Sequence, residues 1–423
     1  MYALPLPRER RLIWLLALVQ FTLIMDFMVM MPLGPQIMAA FHISPSKFAA
    51  AVSAYSWCSG LSALLAATYI DRFDRRKLLL AAYLLFAVSN VACAYASSYP
   101  LLLVSRAFAG ITGGVLGASV MAIVADVVPV ARRGAATGII MTGFSMAAIA
   151  GVPAGVLLGA YFHWSAPFWL LAALTVTIAV LTSRIVPSLA DHLAARPPSL
   201  ADTLPALVRL LSHPRHLRAF ALTFLIMFAH MLVIPFISPM LVANHGVPPG
   251  QISWLYMAGG AATFFTSRAI GRLADRIGHR LVFRAFGILA LAPMLIVTHL
   301  PNVPLSIMIP GFALFMIISS GRIVPMQAIL TTVPDAPHRG AFLSANGAVQ
   351  SLGVGCGAWL GGLMLSTDTA GHLVGYGLNG WVSVAFASLA LVWVGYVRSA
   401  GAQSAKTAAP AAPNATPELA GEA

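Results

Sequence analysis

Charge is what this chain has least of. Only 9% of its 423 residues are Asp, Glu, Lys or Arg, and just 12 are acidic. A soluble protein carries about 25% charged residues. With 59% hydrophobic residues and a mean hydropathy of +0.87, this chain has too few charges to cover a water-facing surface. The net charge of +13 is divided among short basic clusters between apolar runs. That excludes the single basic patch of a nucleic-acid binder and fits the loops of a membrane protein. Cysteine is nearly as scarce. Cys58, Cys93 and Cys356 lie within apolar stretches, with no Cys or His at ligand spacing, so neither a disulfide framework nor a metal site is expected. No Gly-Lys-Ser/Thr phosphate loop is present, so no ATP site and no organic cofactor are expected. Paired carboxylates inside the apolar runs are missing as well, which argues against an enzyme.

What the chain does have is long apolar runs. About 20 such residues cross a bilayer as a helix, and twelve runs qualify, at approximately 12–33, 48–70, 78–97, 101–125, 135–160, 166–186, 217–243, 251–274, 281–300, 304–331, 341–366 and 378–398. The first is too long for a signal-peptide core and no small-residue cleavage site follows it, so it reads as a membrane helix. With the N-terminus inside, all but Lys47, Arg106 and Arg322 of the 25 basic residues fall on the cytoplasmic side or at its helix ends. An odd number of spans destroys that asymmetry. Twelve spans with both termini cytoplasmic is the expected topology.

A Pro-rich stretch, 187–216, separates two six-helix halves, 1–186 and 217–398, and is expected as a central cytoplasmic loop. Residues 399–423, rich in Ala and Pro, are expected as a disordered cytoplasmic tail. The halves repeat one another. Asp71-Arg72-Phe73-Asp74-Arg75-Arg76 after the second run returns as Asp275-Arg276-Ile277-Gly278-His279-Arg280 after the eighth, 204 residues on. Arg133-Gly134-Ala135 returns as Arg339-Gly340-Ala341. Gly151, Gly155 and Gly159 return as Gly353, Gly357 and Gly361. Three features at nearly one offset mean an internally duplicated membrane protein, and that architecture points to transport.

These residues resemble the major facilitator superfamily, and within it the twelve-helix drug:proton antiporters and related bacterial efflux permeases. The resemblance covers all twelve spans. Gly271 through Arg280 matches the family's loop between its second and third helices, including Gly271, Asp275, Arg276, Gly278 and Arg280. The first copy departs, with Ala67 for the leading Gly and Asp74 for the internal one. The resemblance implies a conformational latch in which a loop carboxylate, Asp71 here, faces a helix N-terminus of the other half. Arg72, Arg75 and Arg76 complete the charge network, with Asp74 as an extra carboxylate able to recruit Arg75 or Arg76. Gly143 through Gly159 with Pro153 resembles the family's helix 5 signature, although Val152 interrupts its Gly-Pro pair. Small residues at four-residue spacing let helix backbones approach closely, so packing is the first expectation for Gly143, Gly151, Pro153, Gly155 and Gly159. If the packed pair is the one that rocks, packing and function coincide.

Four ionisable residues stand inside the runs: Asp26, Arg106, His230 and Arg322. A charge at bilayer depth costs about 2.5–3.5 kcal/mol on insertion scales and marks a functional site by default. They fall on spans 1, 4, 7 and 10, which in the superfamily line the central cavity, and Arg106 matches a helix 4 motif implicated there in proton coupling. Asp26 is the expected proton carrier, Arg106 its modulator and His230 a second proton site, since a group titrating near pH 6.5 suits a proton step. The bland readings are a static Asp26–Arg106 ion pair and a core histidine. Met30, Tyr55, Gln327, Asn346 and Gln350 are softer cavity candidates beside Gln20, Trp57 and Asn90, and the methionines around Asp26 suit an adaptable apolar pocket.

The expected molecule is an all-α membrane protein of two pseudo-symmetric halves. It is read as a monomeric, proton-coupled exporter of drug-like or amphipathic small molecules in a bacterial inner membrane, working by alternating access. Its expected partners are the substrate, protons and lipid. An exporter or importer of a sugar, nucleoside or other metabolite is the alternative, and a non-transporting sensor or scaffold is the alternative of another class.

Overall fold

The computed structural model describes residues 6–190, 193, 200–335 and 338–400. Twelve long helical segments run antiparallel in chain order. The first half has α1 (Leu6–Val29), α2 (Pro45–Arg72), α3 (Arg75–Ala94), α4 (Tyr99–Val127), α5 (Arg132–Tyr161) and α6 (Ala166–Ile185). The second has α7 (Pro214–His245), α8 (Ile252–Ile277), α9 (His279–Thr298), α10 (Leu305–Thr331), α11 (Arg339–Leu363) and α12 (Tyr376–Tyr396). Ten are both long and apolar enough to cross a membrane. The other two, α8 and α11, have 26 and 25 residues and so the length, but Gly and polar residues such as Ser344, Asn346 and Gln350 dilute them. Large apolar side chains, among them Leu61, Leu84, Val104, Phe265 and Val392, cover the outside of the bundle. That is the surface a hydrocarbon solvent asks for.

Two expectations need correction. The first helix starts at Leu6 and stops at Val29, and the chain then makes a turn and a separate helix, Gly34–Phe41, with Pro35 in its first turn. The stretch 187–216 is not loop throughout: Leu200–Ser212 is helical and α7 begins at Pro214. The tail from residue 401 lies outside the described residues.

The sequence repeat is also a packing repeat. On α5, a Cβ at Gly143 would lie 2.5 Å from the Ala17 carbonyl oxygen of α1, and one at Gly151 would touch Met25 at 3.2 Å. Gly155 and Gly159 face Val29 and Leu33 in the same series. In the second half Gly353, Gly357 and Gly361 of α11 face Phe224, Phe228 and Leu232 of α7. Each stripe therefore joins helices of one half. The striped pairs are not the surfaces on which one half meets the other.

Between the halves, α2 packs on α11 and α5 on α8. These contacts use other glycines. Gly60 faces the Ala348 carbonyl at 2.9 Å and Gly355 faces the Trp57 ring at 2.5 Å, each measured from a Cβ built there. Ser53 Oγ donates to the Gly355 carbonyl at 2.8 Å. Gly260 of α8 meets the Ala148 carbonyl, which lies in a π-helical stretch of α5, Ala147–Gly151. The apolar core follows the same division. At the end away from the charged loops, Val29, Leu33 and Phe48 share one cluster with Phe236, Leu241 and Leu365. At the loop-bearing end the buried residues fall in separate clusters, one around Leu16, Phe86 and Ile123, another around Phe220, Phe283 and Leu330, and a small one of Ile270, Ala274 and Val282. The buried core is shared at the far end and separates at the loop end, where Phe27 still packs against both of the larger clusters and Leu64 against that of the second half.

Gly143 and Gly138 make a controlled comparison on one helix. Nothing lies within 4 Å of a Cβ at Gly138, so Gly138→Ala should leave stability unchanged or raise it by up to about 1 kcal/mol. Gly143→Ala should cost about 1–3 kcal/mol, because backbone opposes the new methyl. Thermal unfolding of the detergent-solubilised protein decides between these outcomes.

Candidate functional site

Each half buries an arginine deep within its helices, Arg106 on α4 and Arg322 on α10. In the first half Arg106 of α4 reaches Asp26 of α1. Nη1 donates to Asp26 Oδ1 at 2.8 Å, and Nη2 donates to the Asp26 backbone carbonyl at 3.4 Å. The side chains are 1% and 0% exposed. The arginine can reach because α4 lies against α2: Gly110 faces the Tyr55 carbonyl, and a Cβ at Gly113 would stand 3.0 Å from the Tyr55 hydroxyl. This places the Tyr55 ring 4.5 Å from the guanidinium carbon, with Phe168 of α6 at 5.8 Å. Cation–π attraction strengthens when the charge is desolvated. Cys93 of α3 donates to Ser105 Oγ at 3.1 Å in the turn beside Arg106. Asp26 Oδ2 and Arg106 Nε are left without hydrogen-bond partners among the described residues.

In the second half Arg322 of α10 reaches His230 of α7. It sits where α10 is interrupted, between Leu305–Gly321 and Ile323–Thr331. Nη2 is 3.1 Å from His230 Nε2 and 3.9 Å from Met294 Sδ of α9. His230 Nδ1 stands 3.1 Å from the Ile226 carbonyl, where it can only donate. An imidazole carrying its proton on Nδ1 accepts from Arg322 through Nε2. Ser383 of α12 donates to the Ala229 carbonyl at 2.6 Å and lies 3.2 Å from Met294 Sδ. The four intramembrane residues are thus joined as two pairs, one inside each half, and all are 3% exposed or less. In this structure they form two buried clusters, one in each half.

The softer candidates divide. Tyr55 belongs to the Arg106 cluster. Met30 is 1% exposed in the shared core and Met25 packs on Gly151. Asn346 accepts from Thr223 Oγ1 at 2.7 Å, tying α11 to α7. Asn90 donates to the Phe86 carbonyl within α3. Trp57 packs across the halves on Gly355 and Trp359. Gln20, Gln327 and Gln350 are half-buried on α1, α10 and α11. Phe168, Met294 and Ser383 were not singled out from the sequence. Their types are ordinary for membrane helices, and only the arginines they touch distinguish them.

The loop ion pairs stay within their own halves. Asp71 pairs with Arg75, and Arg75 Nε donates to Asp126 of α4 at 2.8 Å and Nη1 to the Ile70 carbonyl at 2.7 Å. Arg76 donates to the Ser183 carbonyl of α6. In the second copy Asp275 stands 3.6 Å from His279, and Arg280 donates to the Val397 carbonyl beyond α12. Gly278 joins α8 to α9 with φ of 101°, a conformation that favours glycine. Asp74 does not bind the guanidinium of Arg75 or Arg76, contrary to expectation. Its carboxylate caps α3 through the Arg76 N–H at 2.9 Å, and it holds the chain beyond α6 by accepting from Ser188 Oγ at 2.6 Å and the Leu189 N–H at 3.1 Å. Partial burial would raise its pKa. The bonds from Ser188, Leu189, Arg76 and Lys77 outweigh that and hold the carboxyl below its ordinary value.

A carboxyl with a depressed folded pKa contributes stability above its unfolded pKa and loses it as pH falls through the folded value. Between about pH 5 and pH 3, Asp74→Asn should flatten the acid-induced fall in unfolding temperature while lowering its level at pH 7. For the buried pair, Arg106→Met should cost about 3–5 kcal/mol, because an uncompensated carboxylate remains. Asp26→Leu combined with Arg106→Met should recover most of that loss. A double-mutant cycle on chemical unfolding, with no coupling between the two sites, would contradict the pairing.

Comparison with known proteins agrees with this architecture. "Probable sugar efflux transporter" of Helicobacter acinonychis (strain Sheeba) is 25% identical over 358 residues, 85% of this chain and 88% of that protein. The protein of the same name from Mannheimia succiniciproducens is 23% identical over 354 residues, 84% of this chain and 85% of its own. Among solved structures, a bacterial homologue of the human lysosomal transporter Spinster, in an inward-facing and occupied conformation, superposes with a TM-score of 0.75 at 15% identity, covering 93% of this chain and 97% of that one. A point mutant of the nucleoside transporter NupG superposes with a TM-score of 0.71 at 13% identity, covering 92% and 99%. The family model of the Major Facilitator Superfamily matches residues 16–228 and 219–420. Two helical halves, repeated in sequence and in packing, carry that match, and the chain belongs to the Major Facilitator Superfamily.

Proposed function

We propose that this transporter exports a small polar molecule in exchange for protons, with Asp26 as the proton carrier. The observation that carries the reading is the buried carboxylate of Asp26, bound to Arg106 through one oxygen while Oδ2 has no partner among the described residues. A carboxylate at that depth is costly unless neutralised by an ion pair or by a proton. Its two stable states are therefore ionised with Arg106 or protonated without it, and a motion that strains the pair exchanges one for the other. Arg106 sets the balance, and Tyr55 and Phe168 hold its guanidinium for either state. Alternating access comes from the two halves turning about α2/α11 and α5/α8. The protein works as a monomer in a bacterial inner membrane, with both termini and the loops at Asp71 and Asp275 in the cytoplasm, and it needs no cofactor and performs no enzymatic reaction. In that orientation the divided end of the core faces the cytoplasm. The loop pairs, closed within each half, correspond to a released latch.

A sugar-type substrate is the reading that the names of the sequence relatives support. Drug-like export is the second reading. Its sequence support, the methionines around Asp26, is weakened because Met25, Met30 and Met31 are engaged in packing.

The test uses the purified protein in weakly buffered detergent solution with a pH-sensitive dye. Addition of a transported sugar should release protons from the wild type, and Asp26→Asn should reduce the release to background. Release that persists in Asp26→Asn would remove Asp26 as the carrier. Transport of a cationic dye in proteoliposomes, with no sugar transported, would favour the drug-like reading.

A further inference from the structure

Arg322 is a buried cation with no carboxylate in its half of the membrane. The acidic residues between 214 and 398 are Asp275, Asp335 and Asp368, and all three lie at helix ends or in loops. Arg322 is 0% exposed, and its Nε and Nη1 have no hydrogen-bond partner among the described residues. Ser319, one turn earlier on α10, is 2% exposed and its hydroxyl is likewise unpartnered among them. The contrast with Arg106 is direct. Where the first half supplies Asp26 on α1, the second supplies His230 on α7, 204 residues on, and an imidazole that accepts one hydrogen bond does not neutralise a guanidinium. An uncompensated charge at bilayer depth is the most expensive arrangement a helical bundle can hold.

We propose that Arg322 binds the acidic group of the transported molecule, and that the substrate is accordingly an anion, a sugar acid in the reading above. The carboxylate accepts from Nη1 or Nε of Arg322, with the Ser319 hydroxyl as a further donor, while His230 keeps Nη2 and so fixes the direction in which the guanidinium faces. Access requires a local movement inside the second half, at the break in α10 where Arg322 sits between Leu305–Gly321 and Ile323–Thr331. The two pairs then divide the work, with the proton on Asp26 in the first half and the anion on Arg322 in the second. The substrate class rests on the sugar-export reading, whereas the anion site rests on Arg322 alone.

The experiment measures thermal unfolding of the purified full chain against increasing glucuronate, glucose, and sodium chloride at matched ionic strength and pH. A ligand that binds the folded state raises the unfolding temperature with concentration. Glucuronate should raise it with a saturable dependence, and glucose and chloride should not. Arg322→Gln should weaken the apparent affinity for glucuronate by about tenfold or more. His230→Asp supplies the missing carboxylate within the protein. It should raise the unfolding temperature without ligand and abolish the glucuronate response. A glucuronate response unchanged in both variants overturns the anion site. A glucose response as large as that of glucuronate, also unchanged in the variants, overturns it while leaving sugar export standing. A chloride response equal to that of glucuronate and lost in Arg322→Gln keeps the anion site and overturns the sugar-acid assignment.

Discussion

Everything at the centre of this protein depends on the cost of holding a guanidinium inside an apolar bundle. Two arginines, Arg106 and Arg322, are among its largest fully buried side chains. An interhelical hydrogen bond in a membrane protein contributes about 0.6 kcal/mol on average, far less than the cost of an uncompensated charge. Packing of the surrounding helices therefore has to bring a partner within reach. Around Arg106 that demand explains the small residues of α4. Gly110 and Gly113 let α2 come close enough for Tyr55 to cover the guanidinium, while α1 brings the carboxylate from the other side.

The division of glycines between the helices explains how such a bundle can be both tightly packed and mobile. On α11, Gly353, Gly357 and Gly361 face α7 inside the half, while Gly355 and Gly362 face α2 across the boundary. One helix thus presents two close-packing faces with different tasks. The within-half face holds the cluster geometry fixed, so a rotation of the half carries His230 and Arg322 as a unit. The cross-boundary face has smooth, close backbone contacts and a side-chain-to-backbone bond from Ser53, which suits a surface about which two bodies turn. The apolar core agrees with this, being shared at one end and split at the other.

Much of this was legible in the sequence, for specific reasons. Length and hydropathy give the helices, and the offset of about 204 residues gives the halves. Four ionisable residues in apolar runs give the centres of both clusters, because the energetic penalty makes them conspicuous. What could not be read is orientation within each helix. A helix that is apolar all round carries no moment to say which face meets which neighbour, so the partner of the α5 glycine stripe was open and the boundary glycines Gly60, Gly260 and Gly355 went unnoticed. Pairing was hidden for the same reason. Asp26 and Arg106 are 80 positions apart, and nothing in their spacing says that they touch. Asp74 shows a different failure. Beside Arg75 and Arg76 it invites an ion-pair reading, but a carboxylate at a helix start satisfies unpaired backbone N–H groups first. Arg75 and Arg76 are left to bind Asp126 and the Ser183 carbonyl.

The duplicated architecture makes the asymmetry of the clusters informative. If both halves had kept an acid opposite the arginine, each would be neutral in itself, and neither would have reason to respond to a charged solute. With His230 rather than an acid beside Arg322, only the second-half buried cluster lacks a carboxylate. Under the proposed rotation of the halves, a charge that is neutralised in one conformation and not in another biases the equilibrium between them by its own cost of burial. A ligand that supplied the missing negative charge would stabilise the conformation that buries Arg322 most completely. Protonation of Asp26 would act in the opposite sense on the other half, by leaving Arg106 in the position Arg322 already occupies. Coupling between a proton and an anion then requires no contact between the two sites. It requires only that the same rotation changes the burial of both arginines.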